Sequence, residues 1–295
     1  MNLPQLGTIL EYGFQLQKNG NAQSTIKTAI TRLKQLSKLC DINEPEQAKA
    51  ILATLEWKNS TKDTIVNIYS GYLRYLNKTW TPPIYKRESI LYFIPTETEI
   101  DSLISAARPK TATLLQTLKE TGARIGEIEK LKWTHIDQER KTIYITAEKG
   151  SNSRLLPISN RLIAMLNNLQ KTNDKIFQSQ DHGLRTNFEV LRKNTARKLN
   201  NPRLLNIHFH TFRHWKGTME YHKTKDIIHV KTVLGHKNIQ STMIYINLEQ
   251  AIFLNEECEW TSKAVKTTEE AMKLIDAGFT LADTIDGIHI YRKRK

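Results

Sequence analysis

Apolar residues recur at helical spacing through the first part of the chain. Ile26, Ile30, Leu33 and Leu36 mark one helical face, and Ile51, Leu52 and Leu55 begin another. A third helix is expected near Ser60, where Asp63 stands at capping-box spacing and Ile65, Ile68, Tyr69, Tyr72, Leu73 and Leu76 follow on one face. Tyr and Leu at that spacing read as core rather than as a platform for stacking bases. Lys27, Arg32, Lys34, Lys38, Lys58, Lys62, Arg74 and Lys78 fall off these faces, where they can track phosphates or be solvated. Pro82 and Pro83 then break the pattern, since paired prolines favour an extended backbone. The expected organisation is a helical domain over residues 1–78, a linker over 79–92, a second domain over 93–250 and a tail over 251–295.

Thr96 and Glu99 have the spacing of a capping box, with Ile100, Leu103 and Ile104 facing inward behind them. Leu114, Leu115 and Leu118 continue a helical pattern that Gly122 stops, and a short segment runs from Arg124 to Leu131. The pattern then changes period. Thr142 to Thr146 alternates, Lys149-Gly150-Ser151-Asn152 supplies turn chemistry, and Arg154 to Ile158 returns, which predicts a β-hairpin. Helices resume from about Arg161. The tail holds a helix-like run from Glu269 to Ala277, a strand-like end at Gly287 to Tyr291 and the basic finish Arg292-Lys293-Arg294-Lys295, together a small αβ appendage. The fold class expected is mainly α with a small antiparallel β-sheet, preceded by an N-terminal helical bundle.

Charge narrows the partners. The 295 residues carry 44 Lys and Arg against 30 Asp and Glu, a formal net charge of +14, which predicts attraction to a polyanion, with nucleic acid first. No apolar run approaches the roughly 20 residues needed to span a bilayer, and Met1-Asn2-Leu3-Pro4 lacks the basic-then-apolar order of a signal peptide, so a cytoplasmic location is expected. Cys40 and Cys258 stand far apart, which supports neither a disulfide framework nor a clustered-thiolate metal site.

Breaking a nucleic-acid backbone without a metal requires a nucleophile, cationic donors to the non-bridging phosphate oxygens, and an acid for the departing oxygen. Arginine suits the second task because its planar fork of donors stays charged. Four segments supply such a set: Thr121-Gly122-Ala123-Arg124-Ile125-Gly126-Glu127, Glu148-Lys149-Gly150-Ser151-Asn152-Ser153-Arg154, His210-Thr211-Phe212-Arg213-His214, and Leu234-Gly235-His236 through Met243-Ile244-Tyr245. Singly, each has an ordinary reading: Arg124 and Glu127 as a surface ion pair, Lys149 as a solvated turn residue, His236 as a helix-end histidine and Tyr245 as core. His208, His210 and His214, with His222 and His229 beyond, raise a metal site as a competing chemistry. Without a Cys pair or zincin spacing no metal is expected. Tyr221 and Tyr291 are alternative nucleophiles near basic residues but stand outside these segments.

In this order the four segments resemble the motifs of the tyrosine recombinase family, Xer-type and integrase-type enzymes included, over roughly Thr96 to Leu248. The resemblance implies that Arg124 and Arg213 clamp a scissile DNA phosphate and that Lys149 protonates the leaving 5′ oxygen. His210 assists proton transfer at Tyr245, His236 donates to the phosphate, Tyr245 becomes linked to the 3′ phosphate and Glu127 supports the site by hydrogen bonding. It further implies no cofactor and no ATP, a two-domain clamp around double-stranded DNA, a homotetramer on two DNA sites, and strand exchange through a Holliday junction. The tail resembles those of archaeal integrases, which favours a mobile-element role; docking on a neighbouring protomer, folding back in cis and touching DNA stay open for it. Two alternatives stay open: a type IB topoisomerase using the same chemistry, and a non-catalytic DNA-binding factor.

Overall fold

The computed structural model describes residues 3–87, 91–148, 150–177, 183–253, 260–285 and 287–294. The chain divides into two compact units, residues 1–90 and 91–295.

The first unit is built from α1 (Leu3–Lys18), α2 (Gln23–Leu36), α3 (Pro45–Thr54) and α4 (Asn59–Tyr75). Ile9, Leu33, Leu36, Ile42, Leu52, Ile65, Tyr69, Tyr72 and Leu73 form its core, so the stripe along α4 is packing surface. Tyr69 donates to the Ile42 carbonyl at 2.8 Å, which satisfies its hydroxyl inside that core. The Ser60–Asp63 capping box does not form. The helix starts two residues earlier, with Lys58 at the cap and no side-chain bond there. Asp63 is instead drawn to the Arg87 guanidinium at 2.5 and 2.8 Å. Part of the expected linker also packs as structure: Trp80 donates to Ser70 Oγ at 3.1 Å and meets the Tyr69 ring edge-on at 4.9 Å.

The second unit opens with α5 (Glu97–Ala106), begun by the expected box: Thr96 Oγ1 accepts from the Glu99 N–H and Glu99 Oε2 from the Thr96 N–H. Next come α6 (Pro109–Thr121), ended by Gly122 at φ +58°, and α7 (Ile125–Glu129). Strands β1 (Ile136–Asp137), β2 (Thr142–Ile145) and β3 (Arg154–Pro157) form an antiparallel sheet in the order β1-β2-β3, with Thr142 opposite Pro157 and Ile145 opposite Arg154. The hairpin stands where periodicity placed it. The two-residue β1 was too short to show any. Helices α8 (Asn160–Asn167), α9 (Gly183–Lys198), α10 (Phe209–Thr224), α11 (Ile227–Leu234) and α12 (Gln240–Phe253) complete the helical part. Their shared core includes Ile100, Leu103, Leu115, Leu118, Ile143, Ile145, Leu162, Phe177 and Phe212.

A second three-stranded antiparallel sheet follows, from β4 (Trp260–Val265), β5 (Thr280–Ile285) and β6 (Ile288–Arg294) in the order β4-β6-β5. Helix α13 (Thr268–Asp276) packs Ala271 and Leu274 against Tyr291. Mainly helical architecture with small antiparallel sheets is therefore what the hydrophobic pattern predicted. Among the described residues, no helix is long and apolar enough to cross a membrane.

Candidate active site

Helix α10 sets the centre of the site. His210, Arg213, His214 and Gly217 lie three or four residues apart and so share one face of its first turns. Arg213 is 1% exposed, with Nη1 donating to the Gly122 carbonyl at 2.8 Å and Nη2 to the Leu234 carbonyl at 2.7 Å. Both carbonyls sit at helix C-termini, those of α6 and α11. The orphan acceptors and partial negative charge there stabilise a buried cation. Burial, with repulsion from Arg124 and Arg154, brings the Arg213 pKa down to about 10, so it stays charged at neutral pH.

Arg124 stands at the start of α7, three-quarters buried, with Nη1 3.3 Å from Glu127 Oε1. Glu127 is the hub of the local network. Its carboxylate accepts from the Arg124 backbone N–H at 2.9 Å, the Ser151 hydroxyl at 2.8 Å and Arg154 Nη2 at 2.9 Å. Burial alone would raise its pKa, but the bond and charge of Arg154, with the Arg124 N–H and the Ser151 hydroxyl, bring it down to about 2. The expected surface pair of Arg124 and Glu127 is therefore an interior one on the Glu127 side, and it holds the β2–β3 hairpin against α7.

The same hairpin is fixed at two more points. Glu148 pairs with Lys130 at 3.3 Å and lies over Gly126, where an added Cβ would meet Glu148 Oε2 at 2.0 Å. On its other side the Asn152 N–H donates to the Gly235 carbonyl at 2.8 Å. Gly235 takes φ +68°, and an added Cβ would come within 2.6 Å of the Asn152 oxygen. Lys149 itself lies outside the described residues, while Glu148 and Ser151 on either side of it are held to α7 and to each other.

Gly235 turns the chain so that His236 follows directly behind α11. The His236 ring is buried, and Nδ1 lies 2.9 Å from Thr242 Oγ1. Burial, with the charges of Arg213, Arg124 and Arg154, lowers its pKa to about 3. Tyr245 on α12 is 1% exposed and packs on Gly217, where a Cβ would lie 2.6 Å from the ring. Its ring is nearly parallel to that of His236 at 6.3 Å and lies 6.1 Å from His214. Burial pushes the hydroxyl up to about 12, against the opposing pull of Arg213 and Arg124.

His210 is solvent-accessible and edge-on to His214 at 4.7 Å. Partial desolvation, then Arg213 and Arg124, lowers its pKa. His214 is buried, and Tyr92 stacks on it at 4.0 Å. Of the sequence candidates, Arg124, Glu127, His210, Arg213, His236 and Tyr245 thus come together. Sequence reasoning missed Arg154, Ser151, Gly217 and Tyr92 as parts of the site, and singled out His214 only as a possible metal ligand. Arg154 and Ser151 were within the hairpin segment, and Gly217 stands one turn beyond Arg213, but neither position announces burial. Tyr291 lies under α13 and Tyr221 packs beside Val230 and Leu234. Among the described residues, no three His, Cys, Asp or Glu side chains are grouped to hold a metal.

Such a site offers an oxyanion the guanidinium groups of Arg124 and Arg213 and the imidazoles of His210 and His236 beside a phenol. The sequence profile described as the phage integrase family matches residues 95–251. An integrase/recombinase of Haemophilus influenzae is 28% identical over 227 residues, covering 70% of this chain and 56% of the relative. Tyrosine recombinase XerA of Saccharolobus solfataricus is 24% identical, covering 67% of this chain and 66% of that protein. The chain thus spans less than two thirds of the length of these relatives. A crystal structure of a lambda integrase tetramer bound to a Holliday junction shares the fold at a TM-score of 0.60 and 16% identity, covering 79% of this chain and 77% of that one. With more than half of its residues inside the matched region, the chain belongs to the phage integrase family of tyrosine recombinases.

Proposed function

We propose that this protein is a site-specific DNA recombinase of the integrase type, which cleaves and rejoins double-stranded DNA through a 3′-phosphotyrosine intermediate. The observation that carries the reading is the convergence of Arg124, Arg213, His210 and His236, from three separate segments, around the buried Tyr245. In this reading the Tyr245 oxygen attacks the scissile phosphorus while the bond to the 5′ oxygen breaks. His210 receives the tyrosine proton and Lys149 protonates the departing 5′ oxygen, so charge and protons balance. Arg124 and Arg213 neutralise the non-bridging oxygens of the pentacoordinate transition state, and His236 donates a hydrogen bond to one of them. Glu127 and Arg154 are positioning residues that hold Arg124 and the hairpin bearing Lys149.

The phosphotyrosine bond conserves the energy of the phosphodiester, so a 5′ hydroxyl from a partner duplex reverses the step without ATP or a metal. Exchange between two duplexes breaks four strands. With one nucleophilic tyrosine per chain that requires four protomers on two DNA sites; the structurally similar lambda integrase is described as a tetramer bound to a Holliday junction. The net charge of +14 supports the DNA contact, with residues 1–78 acting as the second jaw of a clamp. Action on a mobile element in the bacterial or archaeal cytoplasm fits the integrase relatives.

The test is covalent trapping. Wild type and Tyr245→Phe are incubated with supercoiled and nicked DNA in EDTA and denatured in detergent. A DNA-linked species from wild type alone, mapped to Tyr245, supports the reading, and an adduct persisting in Tyr245→Phe overturns the nucleophile. Relaxed circles without junctions or recombinants would assign a topoisomerase instead.

A further inference from the structure

A cleft of about 590 Å³ lies in the second unit between α9 and the start of α10, next to the site and sharing His210 with it. Arg185 and Arg192 line one side, His208 and His210 the other, and Phe188 and Phe209 stack at 4.6 Å along its wall. We propose that this cleft is a second phosphate seat, which takes a DNA phosphodiester flanking the scissile one. The proposal rests on the DNA-cleaving reading, because His210 lines both the cleft and the catalytic pocket.

Arg192 carries the argument. It is 9% exposed, and Nη1 is spent on the Ile207 carbonyl at 2.8 Å and His208 Nδ1 at 2.7 Å. Its buried Nε has no hydrogen-bond partner among the described residues. The guanidinium that lines the cleft is thus a cation already held in place, which an entering oxyanion meets without ordering a free side chain. Arg185 lies seven residues earlier on α9, two turns along the same face, and is exposed at the mouth. The positive end of the 16-residue α10 opens at His208, which adds a favourable field for an anion.

Glu189 also lines the cleft, but Lys193 pairs with it at 2.7 Å and offsets its charge. The aromatic wall suits the apolar edge of a deoxyribose. A phosphate held here would fix the register of the strand before Tyr245 meets its target, since backbone contacts position nucleic acid.

The probe is a short random-sequence duplex, titrated with protein across a salt series. Each phosphate contact contributes about 0.9 to the slope of log affinity against log salt. Arg185→Gln is expected to lower the slope by about one contact and weaken binding several-fold at low salt, with an unchanged melting temperature. Arg185→Lys, which keeps the charge, is expected to restore most of the slope. Arg197→Gln serves as the control, because it lies on the same helix but lines a separate cleft with Pro202 and Leu205. A wild-type slope in Arg185→Gln, or an equal fall in Arg197→Gln, overturns the seat while leaving the functional reading standing. A wild-type protein that ignores the duplex overturns both.

Discussion

Tyr69 and Tyr72 in the first unit and Tyr245 in the second are all buried, and burial raises the hydroxyl pKa of each. Their surroundings differ in sign. After burial, Tyr69 is pushed further up by Cys40, Tyr72, Asp41 and Glu44, and Tyr72 by Asp41, Tyr75 and Glu11, to about 12 in all. Tyr245 is instead pulled back by Arg213 and Arg124. A tyrosine in an acidic neighbourhood is locked as a neutral phenol and serves as packing. One beside two guanidinium groups is placed where a phenolate, or the transition state leading from it, is stabilised. Burial does not distinguish Tyr69 and Tyr72 from the proposed nucleophile Tyr245; the charges around them do.

The largest effect is expected from replacing the guanidinium that distinguishes Tyr245. Arg213→Lys keeps a positive charge but loses the fork that spans the Gly122 and Leu234 carbonyls. The expected result is a fall in covalent adduct of about 10²–10³-fold, with duplex binding reduced far less, as for a contact made mainly in the transition state. Adduct yield and binding are measured on the same preparation. Equal losses in both would make Arg213 a structural residue and the comparison would lose its meaning.

Arg124, the second cation beside Tyr245, is held with Arg154 by Glu127, and this dependence has a pH signature. Its folded pKa of about 2 lies below the unfolded value, so its contribution is fully present above the unfolded pKa and is lost as pH falls through the folded one. The depression corresponds to roughly 3 kcal/mol. Glu127→Gln is expected to lower stability by about that amount at pH 7, because Arg154 keeps a buried charge with a weakened partner. Denaturant titrations should show the gap from wild type closing between about pH 4.5 and 2. A gap that stays constant over that range would mean Glu127 acts through packing alone.

Features set by neighbouring residues were legible in the sequence. The Thr96–Glu99 cap, the stop at Gly122 and the alternating hairpin each depend on side chains within a few positions. The expected start of α4 was misplaced because Asp63 answers to Arg87, 24 residues away, rather than to Ser60. Arg154 escaped notice for the same reason, since its burial comes from Glu127, 27 residues earlier. The tail yielded its helix and last strand, while β4 and β5 lacked a clear alternation; β5 is exposed along its whole length. Motif order named the candidate residues, but the way Arg213 ties two helix ends together comes from contacts 91 and 21 residues apart.

Gly217 and Gly71 sharpen the comparison with matched substitutions. A Cβ at Gly217 would meet the Tyr245 ring at 2.6 Å, and one at Gly71 would meet the Tyr12 hydroxyl at 2.5 Å. Both Ala variants force a tyrosine to move, at an overpacking cost of about 1–3 kcal/mol. Only Gly217→Ala displaces the proposed nucleophile, so it is expected to lower adduct formation by about tenfold or more, since misplacement of that order is felt strongly in rate. Gly71→Ala should cost stability alone. Adduct yield measured below the melting temperature of both variants separates the two effects.

The smallest expected effects lie within the first unit and test whether its tyrosines are purely structural. Tyr69→Phe removes the bond to the Ile42 carbonyl at 2.8 Å and should cost about 1 kcal/mol, because a buried carbonyl acceptor loses its donor. Tyr72 is also fully buried, yet its hydroxyl has no hydrogen-bond partner among the described residues. Its phenolic oxygen is desolvated without compensation, so Tyr72→Phe removes a penalty and keeps the ring that packs edge-on to Tyr12 at 5.6 Å. Chemical denaturation should therefore show a neutral to slightly stabilising change, up to about 1 kcal/mol, opposite in sign to Tyr69→Phe. A loss of adduct formation in either variant would place the first unit's tyrosines in the chemistry and erase the distinction drawn from their acidic surroundings.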